Sequence, residues 1–211
     1  MNKKPLAAII DLSINNILSI KRALEVVGFE TEIFNKKFST KKFDLVVLPG
    51  VGAFSEGMNR LIKTKLIDSV KEAINQDKKL VGICLGMQLL FKDSSEFGHT
   101  KGINFFNGNV EAFSKNENTK RLHIGWNNIE FNKTNNQDII NYFYEKNLQN
   151  EYFYFVHSYY ANNLESKHEM AFTKNNNLKF PSIVKKGNVL GLQFHPEKSG
   201  KSGIKLLKFF L

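Results

Sequence analysis

The apolar positions in the first half of the chain follow two rhythms. "LAAIID" and "FDLVVLPGVG" are unbroken aliphatic runs, as expected of strands buried on both faces. Between them Ile17, Ile20, Leu24 and Val27 recur at the spacing of one helix face, and Gly28 supplies a stop signal. "ETEIF" fits a second strand. Leu61, Leu66, Ile67, Val70 and Ile74 mark another helical stretch, which leads into the buried run "KKLVGICLG". Helix faces that alternate with continuous strands predict a parallel sheet covered on both sides. The second half changes character. "FFNGNVEAF", "HIGWNNIEF" and "YFYFVHSYY" are short strand-like runs parted by Asn- and Gly-containing turns, the pattern of mixed or antiparallel pairing. "VLGLQFHPEKSG" supplies a last strand and a turn, and "SGIKLLKFFL" a closing amphipathic helix. The expected architecture is a doubly wound, three-layer α/β domain with a largely parallel mixed sheet. Its active site should lie at the carboxyl ends of the strands.

Composition narrows the class without changing this fold. With 211 residues, no internal repeat and no linker, the chain is expected to form a single domain over 1–211. No apolar run approaches the roughly 20 residues of a membrane span. The opening "MNKKPLAAIIDLS" has an apolar run cut short by Asp11, too brief for a signal peptide. Cys84 is the only cysteine, so no internal disulfide can form and a reducing cytoplasm is expected. The net charge of +10 is spread through lysine pairs at 3, 36, 41, 78 and 185, with no arginine-rich block. Nucleic-acid binders concentrate their charge, so this dispersed excess predicts a solvated surface and no nucleic-acid partner.

The chemistry centres on Cys84. In "VGICLGMQLLF" it follows a buried strand, opens an apolar helical stretch, and has Gly82 and Gly86 two positions to either side. That is the setting of a nucleophile elbow: a tight strand-to-helix turn projects the side chain, and small flanking residues let neighbouring backbone pass closely. A helix beginning at the sulfur favours the thiolate, and the N–H of Leu85 is placed to bind an oxyanion. Taken alone, the pattern fits a buried structural cysteine equally well. A nucleophilic thiol also needs a base, and the base an orienting group. The five histidines are His99, His123, His157, His168 and His195. His195 is set apart by "GLQFHPEKSG": it ends a strand, Pro196 holds its backbone extended, and Glu197 can turn back toward the imidazole.

These residues carry a family resemblance. "PGVGAF", "GICLGMQLLF" and "FHPEKS" resemble the signatures of class I glutamine amidotransferases. "HIGWN", "YFYFVHSYY" and "QFHPEKSGKSGIKLLKFFL" extend the resemblance over essentially the whole chain and narrow it to the glutaminase subunits of imidazole glycerol phosphate synthase. The resemblance implies a glutaminase with the triad Cys84, His195 and Glu197, and with no metal or other cofactor. It implies oxyanion donors at Leu85 and at Val51 or Gly52. Substrate contacts would fall at Gln88, Glu96 and the backbone near Ser158 and Tyr159. It further implies a heterodimer with a separate (β/α)8-barrel synthase subunit, which receives ammonia through an internal channel. Candidate contacts with that subunit are Asn16, Trp126, Asn127, Tyr154 and Lys198. The sequence ends shortly after Glu197, so the acceptor enzyme is expected on another chain.

One segment departs from the family pattern. Where the first loop usually reads Asp-Tyr-Gly-x-Gly-Asn, this chain has "DLSINN", with Leu12, Ser13 and Asn15 replacing the tyrosine and both glycines. The change leaves the triad untouched and bears on the partner. "SSEFGHTKG" is also similar to relatives that supply ammonia for amidination of surface-polysaccharide sugars, a second assignment for the same chemistry. Two other readings are a catalytically silent regulatory subunit, disfavoured by the complete triad, and a free-standing γ-glutamyl hydrolase.

Overall fold

A computed structural model describes residues 3–13, 17–113, 122–132, 138–175 and 178–211. The chain runs β1 (Leu6–Ile10), α1 (Ile17–Val27), β2 (Glu30–Phe34), β3 (Leu45–Gly50), α2 (Phe54–Lys63), α3 (Leu66–Asn75), β4 (Lys79–Cys84) and α4 (Leu85–Leu89). Then come β5 (Phe91–Ser94), β6 (Thr100–Lys101), β7 (Phe106–Ala112), β8 (His123–Asn128), β9 (Glu130–Phe131), α5 (Asp138–Glu145), β10 (Tyr152–His157) and β11 (Tyr159–Asn162). The last elements are β12 (Glu169–Asn175), β13 (Leu178–Lys186), β14 (Val189–Leu192) and α6 (Gly200–Leu207).

The main sheet has eight strands in the order β2-β1-β3-β4-β14-β13-β12-β9. From β2 to β14 neighbouring strands are parallel, and from β14 to β9 they are antiparallel. Successive strand residues point to opposite faces, so an unbroken apolar run requires cover on both. Ala7, Ile9, Leu45, Val47, Val81 and Ile83 pack on one side with Ile20 and Leu24 of α1 and Leu206 of α6. Their alternates Ala8, Ile10, Val46, Leu48 and Leu80 pack on the other with Met58 and Leu61 of α2 and Val70 of α3. The three-layer α/β architecture expected from the sequence is therefore the one observed. Among the described residues, no helix is long and apolar enough to cross a membrane.

Four local differences have physical causes. The stretch marked by Leu61 to Ile74 is two helices, broken where Lys65 takes the left-handed conformation at φ 58°. "HIGWNNIEF" divides between β8, which pairs with β10 in a two-stranded ribbon, and β9, which joins the main sheet beside β12. "YFYFVHSYY" divides at Ser158, sending β11 into a separate sheet ordered β11-β7-β5-β6. β13 is interior to the main sheet although it contains Pro181, which cannot donate to a ladder; the register of its neighbour β12 slips between Ala171 and Phe172, opposite that proline. In the departing first loop, Ser13 is left-handed at φ 57°, and its N–H donates to Asp11 Oδ1 at 2.7 Å. That Asx-type turn does locally what glycine does by lacking a side chain. Asn15 and Asn16 lie outside the described residues.

Candidate active site

Three parallel strands bring the chemistry together. β3 and β4 end level, with Gly50 opposite Cys84, and β14 ends beside β4 with Leu192 opposite Ile83. The chain leaving each strand therefore enters the same space. Cys84 sits at the elbow with φ 53° and ψ −110°, a conformation that L residues rarely hold and that close packing maintains here. A methyl group on Gly82 would lie 2.8 Å from the Gly86 carbonyl oxygen, and one on Gly86 only 1.7 Å from that of Leu48. The two glycines flanking the cysteine are thus small because backbone passes over them.

The sulfur borders a pocket of about 590 Å³ shared with Val51, Gly52, Leu85, Gln88, Glu96, His157, Ser158, Tyr159 and Lys198. The pocket gathers the positions expected to bind substrate and oxyanion. In its protonated form the thiol has the Val156 carbonyl as its acceptor at 3.8 Å.

His195 is held from several sides and is 2% exposed. Its backbone N–H donates to the Tyr154 carbonyl at 2.9 Å, and Ser199 Oγ donates to its backbone carbonyl at 2.6 Å. Glu197, on the single helical turn Pro196–Lys198, meets His195 Nδ1 through Oε1 at 2.8 Å. Burial works against a charged ring. The negative sulfur of Cys84 and then the Glu197 carboxylate outweigh it and push the His195 pKa up to about 10. Among the described residues Nε2, on the far edge of the ring, has no hydrogen-bond partner. The Cys84 sulfur lies close enough to this ring to raise its pKa. The arrangement is an imidazolium beside a sulfur with an orienting carboxylate behind it, which is the electrostatic basis of a cysteine nucleophile.

Gln88 takes a narrower role than expected. Its amide N–H groups donate to the Tyr159 carbonyl at 2.8 Å and to Gln193 Oε1 at 3.0 Å, so only its own carbonyl oxygen is left for a ligand. Glu96 is buried against the pocket, with Oε2 accepting the Phe54 N–H at 2.6 Å. Burial raises its pKa, and the Phe54 hydrogen bond offsets only part of that.

Sequence reasoning passed over three residues of this network. Gln193 is fully buried and donates to the Cys84 sulfur at 3.8 Å. His157 borders the pocket, with its Nδ1 at 2.8 Å from the Tyr159 carbonyl. A carbonyl only accepts, so Nδ1 carries the proton and Nε2 is the acceptor for His123 Nδ1 at 3.2 Å. His123 Nε2 then accepts a long bond of 3.4 Å from Asn127 Nδ2. A signal for Gln193 existed in its place two residues before His195. Nothing local pairs His123 with His157, which meet as cross-strand partners of β8 and β10.

These histidines give a pH prediction. Burial lowers the pKa of His123 to about 4 and that of His157 to about 3, from an ordinary 6.5. Below pH 6.5 the unfolded chain takes up protons that the folded rings refuse, so stability falls as pH falls toward 4. Each ring contributes at most about 1.4 kcal/mol per pH unit. His195 has the opposite sign: its contribution is complete below 6.5 and is lost as pH climbs through about 10. The three contributions together peak near pH 6.5. Thermal melts from pH 8 to pH 4.5 should show the acid limb, to which the partly buried His168 also adds, and His123→Gln should flatten it by about a third. An unchanged acid slope in that variant would refute the assignment.

The expected partner contacts separate in the structure. Trp126 is 55% exposed and meets Tyr154 edge-on at 6.0 Å, and Lys198 Nζ lies 5.9 Å from the Tyr154 ring centre. Asn127, next along the same strand, points the other way, and its amide is committed to His123 and the Lys174 carbonyl. Asn16 lies outside the described residues.

Residues 8–211 match the class-I glutamine amidotransferase family, and the chain belongs to it. It is 41% identical over 203 residues to the imidazole glycerol phosphate synthase subunit HisH of Caldanaerobacter subterraneus subsp. tengcongensis, spanning 96% of this chain and 95% of that protein. It is 40% identical to subunit HisH 2 of Methanococcus maripaludis, over 97% of this chain and 98% of that one. Among solved structures, PurLQS from Thermotoga maritima superposes with a TM-score of 0.72 over 99% of this chain and 98% of its own, at 18% identity. A crystal structure described as glutamine amidotransferase gives a TM-score of 0.71 at 18% identity, over 97% and 96% of the two chains. At such identity the likeness concerns fold alone.

Proposed function

We propose that this chain, as one domain over 1–211, hydrolyses L-glutamine and delivers the ammonia to a (β/α)8-barrel synthase subunit for imidazole glycerol phosphate formation in the cytoplasm. The observation that carries the chemistry is His195 held by Glu197 at 2.8 Å and charged by the neighbouring Cys84 sulfur, beside a pocket that also holds Gln88 and Glu96. The Cys84 thiolate attacks the side-chain amide carbon of glutamine and forms a C–S bond. The tetrahedral oxyanion is met by the N–H of Leu85 and by one from Val51 or Gly52. Its collapse breaks the C–N bond as His195 gives its proton to nitrogen, and ammonia leaves. Water, losing a proton to His195, attacks the γ-glutamyl thioester, and breaking of the C–S bond returns the thiolate and glutamate. Glu96 and the free carbonyl oxygen of Gln88 suit the substrate ammonium, and the backbone at Ser158 and Tyr159 its carboxylate.

The acceptor assignment rests on the names of the relatives, and the partner surface on the exposed cluster of Trp126, Tyr154 and Lys198. The decisive assay is glutamate release from glutamine by the purified chain, alone and with the barrel subunit. Release that needs the barrel supports the proposal. Full turnover by the chain alone would favour a free-standing hydrolase, and none under either condition would end the glutaminase reading. Aromatic residues dominate binding hot spots, so Trp126→Ala should weaken association with the barrel subunit about 30-fold, roughly 2 kcal/mol. Titration calorimetry showing unchanged affinity would remove this surface from the interface.

A further inference from the structure

The buried amide of Gln193 can be oriented by counting donors and acceptors. The Tyr159 carbonyl can only accept, so Gln88 presents its NH2 group there, and the same group reaches Gln193 Oε1. Gln193 must therefore turn its own NH2 group the other way, where the acceptor is the Cys84 sulfur at 3.8 Å. Among the described residues no other hydrogen-bond acceptor meets that NH2 group. A thiol sulfur accepts weakly, and a thiolate accepts a charge-assisted bond. A fully buried amide that ends on the sulfur is better satisfied when the sulfur is negative.

We propose that Gln193 is a further catalytic residue, whose side-chain N–H, aimed by Gln88 and the Tyr159 carbonyl, stabilises the Cys84 thiolate before attack and again when the thioester is cleaved. The inference rests on Cys84 being the nucleophile. Other titratable groups face the same space: His195, Glu197 and Lys198 beyond β14, His157 at the end of β10, and Glu96 between β5 and β6. Substitutions at Gln193 leave all of them in place, so a change in the sulfur's titration reports the amide.

The test is the pH dependence of alkylation by iodoacetamide on the full chain without glutamine, where Cys84 is the only thiol. Gln193→Met keeps similar length and removes the donor. Its alkylation midpoint should rise by about one pH unit, a roughly tenfold loss of rate below the midpoint, the size expected for a charge-assisted bond. Gln193→Glu, which still accepts from Gln88 but sets a carboxylate against the sulfur, should shift it further. With the barrel subunit present, kcat should fall by a similar factor and KM change little. Unchanged alkylation profiles in folded Gln193→Met and Gln193→Glu would overturn the proposal. If both fail to fold, Gln88→Met decides: it removes the brace and should give a smaller upward shift, and no shift overturns the idea. Should His195→Ala leave the wild-type profile unaltered, the cysteine–histidine pairing itself fails, and this inference with it.

Discussion

Cys84→Ala should lower glutamine hydrolysis roughly 10⁴-fold or more, because removing a covalent nucleophile removes the reaction path and not one contribution to it. The structure separates this loss from any loss of fold. The sulfur lies at the pocket boundary, and its bond to the Val156 carbonyl is long at 3.8 Å. Alanine can hold the same backbone, with φ 53° and ψ −110°, at about the strain cysteine already bears. Stability should fall by only about 1–3 kcal/mol, the cost of leaving the buried Gln193 N–H without the sulfur, and glutamine should still bind through groups the substitution does not touch. The measurement is glutamate release with the barrel subunit present, together with glutamine binding and a thermal melt. A variant that keeps more than a hundredth of the activity would show that the thiol is not the attacking group. The same substitution should also lower the His195 pKa, since the sulfur's charge raises it.

Gly86→Ala is expected to have the largest effect on the fold. The added methyl would lie 1.7 Å from the Leu48 carbonyl oxygen and 2.7 Å from its carbon, both backbone atoms of a central parallel strand. No side-chain rotation can relieve that overlap, so β3 and the elbow must separate. We expect a loss of at least about 3 kcal/mol. At roughly 2–4 °C per kcal/mol for a chain of this size, the melting temperature should fall by about 10 °C. Activity should fall with it, since Leu85 and Cys84 adjoin the displaced residue. Gly52→Ala is the informative contrast. Among the described residues a methyl there meets nothing within 4 Å, and the positive φ of 97° opposes it, so the cost should be about 1–2 kcal/mol. Equal melting temperatures for the two variants would disprove the overlap argument.

The sequence by itself determined whatever depends on residues close along the chain. β1, β3 and β4 are legible because an unbroken aliphatic run needs no distant information to demand cover on both faces. The elbow is legible because the two glycines that permit it stand two positions from Cys84, and the His195–Glu197 contact because Pro196 and a single turn join them. The tertiary structure alone decided the remainder. Pro181 reads locally as a strand breaker, and only the slipped register of β12 beside it lets it lie inside a sheet. The run from Tyr152 to Tyr160 divides at Ser158 between two sheets because of which strand edges are free to receive each half. Gln88 and Gln193, separated by 105 positions, and His123 and His157, separated by 34, find one another through strand register and hydrogen-bond direction. Hydrophobic period and backbone sterics act over a few residues, and so they can be read along the chain. The direction of a buried hydrogen bond is set by whichever donor or acceptor the fold brings opposite it, and that exists only once the sheets have assembled.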